Sequence, residues 1–102
     1  MPVVQSVKLS DAAARELDDA YHWYEDQQAG LGDELLGEFL DATRRISENP
    51  QLYPVVEGDV RRAPLRRFPY ALFYRPEAGG VVVLAVFHGR RSPVHWKSRI
   101  DG

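Results

Sequence analysis

Val81 to Phe87 is an unbroken run of seven apolar residues, led by three valines. A run this short and this rich in β-branched residues predicts a strand buried on both faces of a sheet. Such a strand needs partners on either side and apolar layers above and below it. Residues 68–75, Phe-Pro-Tyr-Ala-Leu-Phe-Tyr-Arg, supply one partner. The link between the two strands, Pro76-Glu77-Ala78-Gly79-Gly80, has the composition of a hairpin turn. At its far end the run passes into His88-Gly89-Arg90-Arg91, so an apolar core leads directly onto a cationic surface.

The rest of the chain is arranged around that strand. Residues 2–9 alternate loosely, which suits an outer or second-from-edge strand, and Ser10 or Asp11 then supplies an N-cap. Over residues 11–28 the stripe Ala13, Ala14, Leu17, Ala20, Tyr21 and Tyr24 predicts an amphipathic helix, with Trp23 at the margin of the buried face. Gly30 and Gly32 break the pattern, and Asp33 is placed to cap a second helix. Its stripe is Leu35, Leu36, Phe39, Leu40, Thr43 and Ile46, and Asn49-Pro50 stops it. The two helices form an antiparallel hairpin whose stripes face the sheet. Residues 51–59 read as a connection, and residues 60–67 as a short strand carrying Arg61, Arg62, Arg66 and Arg67, with Pro64 requiring an edge or a bulge. The expectation is an α+β fold in the order β-α-α-β-β-β, with a helical hairpin on one face of a mostly antiparallel sheet and a single domain over residues 1–102.

Composition removes several classes of function. There is no cysteine, so neither disulfides nor thiolate metal sites contribute. No apolar run approaches the roughly 20 residues of a membrane span and no leader pattern opens the chain, which leads to the expectation of a cytoplasmic protein. His22, His88 and His95 share no ligand spacing, no Gly-rich loop opens a helix, and neither metal nor cofactor is expected. The net charge of −2 conceals a division: residues 10–49 hold eleven acidic against three basic side chains, and residues 57–102 hold four against nine. The acidic half is helical and the basic half is sheet. His88, Arg90, Arg91, Arg61, Arg62, Arg67, Trp96, Lys97 and Arg99 form the cationic constellation that such a surface offers to a phosphate, a nucleic acid or an acidic protein.

Five segments taken together resemble the ParE/RelE toxin superfamily, closest to its ParE branch. They are Trp23-Tyr24-Glu25 in the first helix, the Gly30-Leu31-Gly32 turn, the Asn49-Pro50 stop followed by Tyr53-Pro54, the stretch Arg-Arg-Phe-Pro-Tyr-Ala-Leu-Phe-Tyr-Arg at 66–75, and the ending at 83–96. The resemblance spans residues 9–99. It implies the toxin of a type II toxin-antitoxin system, held inactive by a cognate antitoxin. ParE-type toxins poison DNA gyrase, whereas RelE-type toxins cut messenger RNA on the ribosome.

The nuclease branch usually carries an arginine just before its Leu-Val-Tyr-like triplet. This chain has Ala71 before Leu72-Phe73-Tyr74, so a gyrase inhibitor acting by protein binding is the first reading. On that reading Arg61, Arg62, Arg67, Arg90, Arg91, Trp96 and Arg99 face the target. The alternatives are a ribosome-dependent endoribonuclease using His88, Arg90 and Arg91, and an inactive homologue that serves only as a binding partner. Antitoxins of such toxins lay an amphipathic segment on the helical hairpin, which makes Trp23, Tyr24, Leu31 and Leu35 the expected contacts.

Overall fold

The computed structural model describes residues 6–88. Strand β1 (Ser6–Leu9) leads into helix α1 (Asp11–Gln27) and helix α2 (Leu31–Glu48), followed by β2 (Val55–Glu57), β3 (Val60–Pro64), β4 (Tyr70–Glu77) and β5 (Gly80–His88). The five strands form one sheet in the order β1-β5-β4-β3-β2. β1 runs parallel to β5, and the other pairs are antiparallel. The α+β architecture is as expected, with one additional strand. β2 lies within the segment read as a connection and pairs with β3 across the Gly58 turn through a shifted register.

β5 is the strand predicted by the apolar run, flanked by β1 and β4. Its pairing with β4 carries a bulge: Phe73 faces Ala85 and Tyr74 faces Val83, so Leu84 is the extra residue. One inserted residue reverses the alternation of side chains beyond it. Val81, Val83 and Val86 therefore share the helix-bearing face, packed with Leu35, Phe39, Ile46, Leu72 and Tyr74. Ala85 and Phe87 lie on the other face with Val60, Ala71 and Phe73.

β1 ends at Leu9, opposite Val83, while β5 continues five residues further. Along that stretch the backbone is met by the start of α1. Ser10 donates its N–H to the Val83 carbonyl at 2.9 Å and its hydroxyl to the Leu84 carbonyl at 3.0 Å. The same hydroxyl accepts the Ala13 N–H at 3.1 Å as the N-cap of α1. One turn later the Glu16 carboxylate accepts the Val86 N–H at 3.0 Å. Backbone groups that would otherwise stand at an open sheet edge are thereby paired by a helix.

The α1–α2 turn departs from the expected capping. The N-cap of α2 is Gly30, in the left-handed region at φ +91°, so Asp33 lies inside the helix rather than at its cap. Glu25 of α1 satisfies the free amides, accepting the Gly30 N–H at 2.8 Å and the Gly32 N–H at 2.9 Å. Asp33 instead accepts the Tyr21 hydroxyl at 3.0 Å. Gly32 has no room for a side chain, because a Cβ there would stand 2.6 Å from the Tyr21 carbonyl oxygen.

β3 stops at Pro64, which has no N–H for the ladder, so Arg66 and Arg67 lie in a loop rather than a strand. Replacing Ser10 with Ala removes the cap of α1 and the donor to Leu84 together, and is expected to cost about 1–2 kcal/mol, with Thr restoring most of it. Urea denaturation of the three proteins checks this.

Candidate functional site

The arginines expected to form one surface are held in three places. Arg61 and Arg62 are neighbours in a strand, so their side chains take opposite faces. Arg61 pairs with Tyr74 on the helix-bearing face, where its guanidinium donates to the carbonyls of Tyr53 at 2.6 Å and Gln51 at 3.4 Å. The Tyr74 hydroxyl donates to the Pro50 carbonyl at 2.8 Å, so both residues hold the 50–53 segment against the sheet. Arg62 pairs with Phe73 and lies on the opposite face.

Arg67 reaches α2. Its Nε donates to Glu38 at 2.7 Å and its Nη1 lies 3.6 Å from Glu34. Among the described residues, Arg61 and Arg67 are therefore engaged by carbonyls and carboxylates and do not share a surface with Arg62. Arg90, Arg91, Trp96 and Arg99 lie outside the described residues.

His88 sits elsewhere again. Because the bulge at Leu84 sets it on the helix-bearing face, it pairs with Tyr70 and meets that ring at 5.4 Å between centroids. With Glu16, Asp19, Ala20, Trp23, Tyr70 and Val86 it lines a cavity of about 220 Å³ at the end of β5. The lining is acidic and aromatic.

Of the residues expected to meet an antitoxin, Trp23 is 57% exposed and rests edge-on against Tyr24 at 4.9 Å. Tyr24 is half-buried, held in turn by Phe68 at 4.9 Å, and Leu31 is half-buried. Leu35 is corrected: it is 1% exposed in the core between helices and sheet and offers no surface to a partner. Its place in the middle of the apolar stripe is the physical reason.

Two surface features were not anticipated. Leu9, Ala14, Leu17, Asp18, Tyr21 and Leu36 line a mostly apolar groove of about 320 Å³ between the helices beside β1. On the outer side of α2 a broader depression of about 530 Å³ includes Leu40, 57% exposed, among Glu34, Glu38, Asp41, Arg44 and Arg67. Leu36 and Leu40 are one turn apart and rotated away from Leu35 and Phe39, at about 100° per residue. That rotation was the available signal.

Glu38 fastens the 65–69 loop to α2, accepting the N–H groups of Arg66 at 2.9 Å and Arg67 at 3.1 Å besides the Arg67 guanidinium. Burial pushes its carboxyl up, but the Arg67 and Arg66 amides and the Arg67 guanidinium outweigh this and hold it below its ordinary value.

The fold and its residues can be set beside known proteins. Residues 7–93 match the family model described as the ParE toxin of the type II toxin-antitoxin system, parDE. This chain belongs to the ParE toxin family. Among relatives, toxin ParE2 of Mycobacterium tuberculosis is 28% identical over 101 residues, covering 98% of this chain and 96% of the relative, with the same figures in each of two strains. A solved structure titled "Chromosomal ParDE TA system from P. aeruginosa" superposes with a TM-score of 0.68 at 19% identity, covering 83% of this chain and 96% of that one. At that identity the likeness speaks for the fold. The ParE match takes in α1, α2 and the strands, so the cavity and the groove both lie within the family's domain. As a ParE-family member the chain is a type II toxin-antitoxin toxin. Among the described residues no helix is long and apolar enough to cross a membrane.

The depressed Glu38 carboxyl gives a pH-dependent contribution to the toxin's stability. It is present at neutral pH, above the unfolded carboxylate value, and is lost as the pH falls through the lowered folded-state value. Glu38→Gln is expected to cost about 1–2 kcal/mol at pH 7, and the gap from the parent should close on acidification toward about pH 3. Denaturant midpoints across that range check it.

Proposed function

We propose that this ParE-family toxin inhibits DNA gyrase by binding it as a protein and is neutralised by a cognate antitoxin. The observation that carries this reading is the setting of His88. A ribonuclease attacking through a 2′-hydroxyl needs cationic groups around the developing phosphorane charge. Among the described residues, His88 is instead set in a cavity with two carboxylates, Glu16 and Asp19, and no arginine or lysine.

Ala71 supports the same choice. It occupies the position where the nuclease branch usually has arginine, and it is fully buried beside Phe73 and Phe87, where a charged side chain would lack both water and a partner. The target-facing cations on this reading are Arg62 and, from the sequence, Arg90, Arg91 and Arg99 with Trp96. Arg61 and Arg67 serve the fold.

For the antitoxin, the apolar groove lined by Leu9, Leu17, Tyr21 and Leu36 suits the apolar face of an amphipathic segment. Trp23 projects from the other flank of α1, so a segment crossing that helix reaches both.

Inducing the chain without its antitoxin is expected to stop DNA synthesis first, with accumulation of gyrase-linked DNA breaks. Early arrest of translation with cut messages would overturn the gyrase reading. Trp23→Ala is expected to weaken the antitoxin complex by more than about 1 kcal/mol, roughly fivefold or more in Kd. Calorimetric titration of the folded variant measures it, and unchanged affinity would remove Trp23 from the antitoxin surface.

A further inference from the structure

The outer side of α2 carries two features that the fold does not use. Gly37, Leu40, Asp41 and Arg44 follow one another at three- and four-residue steps, so they share one stripe of the helix. Leu40 is 57% exposed there, in the depression of about 530 Å³ that Glu34, Glu38 and Arg67 complete. Gly37 is the second feature. A glycine inside a helix costs more than an alanine would. Among the described residues nothing lies within 4 Å of where a Gly37 Cβ would stand, so their packing does not require it. An exposed leucine beside an unneeded glycine leaves room for a second helix to approach closely.

We propose that this face pairs with the same face of a second copy of the chain, α2 against α2, antiparallel across a two-fold axis. Charge selects this occupant. The stripe is acidic at its N-terminal end, at Glu34, and basic at its C-terminal end, at Arg44, so a reversed copy brings opposite charges together. With Leu40 of one copy seated over Gly37 of the other, the axis passes midway between positions 38 and 39. At 1.5 Å per residue Glu34 then lies about 7 Å to one side of the axis and Arg44 about 8 Å to the other, so each Glu34 faces the partner's Arg44. Both groups already have intramolecular partners, with room for one more. Arg67 stands 3.6 Å from Glu34, Glu48 stands 3.6 Å from Arg44, and only the Arg44–Asp41 contact is close, at 2.7 Å. A guanidinium with its five N–H donors accommodates a further carboxylate. A parallel pair would set Glu34 on Glu34 and Arg44 on Arg44, and three carboxylates among two arginines disfavour a polyanion. The proposal depends on neither the gyrase reading nor the antitoxin reading.

Sedimentation equilibrium of the full chain between about 5 and 500 μM is expected to show monomer and dimer with a Kd of the order of 0.1 mM, weakened in about 0.5 M salt. Arg44→Glu and Glu34→Arg are each expected to weaken the dimer about tenfold or more, since each sets two like-charged pairs across the axis. An equimolar mixture of the two variants is expected to recover the parent affinity to within about threefold, because both cross pairs are again opposite in charge. Gly37→Ala is expected to raise the thermal midpoint of the dilute chain while weakening the dimer about tenfold, the first through helix propensity and the second through lost close approach.

A parent chain that stays monomeric to about 500 μM would overturn the proposal, whatever the variants do. So would a dimer whose affinity is unchanged by both charge variants and by Gly37→Ala, since another face would then hold it together. A mixture no tighter than its components, with both folded by circular dichroism, would remove the Glu34–Arg44 pairing on which the choice of occupant rests. If the chain is monomeric and the antitoxin instead shifts the Gly37, Leu40 and Arg44 amides in ¹⁵N NMR spectra, the face belongs to the antitoxin and self-pairing falls.

Discussion

The structure depends on how the outer edge of β5 is closed. β1 covers that edge only as far as Val83, and a buried strand cannot leave its remaining carbonyls and amides unpaired without losing about 1–3 kcal/mol for each. Ser10 and Glu16 take over where β1 ends, and in doing so they fix the start and first turns of α1 against β5. The position of α2 follows, because Glu25 of α1 caps its N-terminus and Tyr21 reaches Asp33. Helical hairpin and sheet are therefore joined by polar groups at defined points, with the apolar core filling the space between them. The same closure makes the cavity, since the carboxylate that completes the β5 edge is also one of its walls.

Charge is disposed by the same logic. Among the described residues, basic groups of the sheet half reach across to acidic groups of the helices. Among the described residues two arginines of the basic half are engaged locally: Arg67 with Glu38 and Glu34, and Arg61 with the carbonyls of the 50–53 segment. Arg44 and Arg45 pair with Asp41 on α2. Exposed pairs of this kind contribute little each, but Glu38 differs because it also binds two loop amides that have no strand partner. For a toxin, this leaves one face of α1 acidic and aromatic, a hairpin groove that is apolar, and Arg62 on the opposite side of the sheet. One small fold thus presents surfaces of different chemistry.

Local sequence determined a great deal. The valine-rich run had to be a buried strand, the periodic stripes had to be helices, Ser10 was a competent cap, and Asn49-Pro50 ended α2, all because these preferences act over a few residues. The ParE resemblance was also legible, because it rests on segments in order along the chain. What only the tertiary structure decided were matters of facing and of competition for partners. The bulge at Leu84 moved His88 to the helix side, and nothing in a run of apolar residues marks where one extra residue will be inserted. Glu25, five residues before Gly30, displaced Asp33 as the source of the cap for α2, since the two helices meet only after folding. Arg61, Arg62 and Arg67 are close in sequence, yet strand alternation and the reach to Glu38 separated them in space. Sequence sets the period of each element, whereas register and packing choose which residues share a surface.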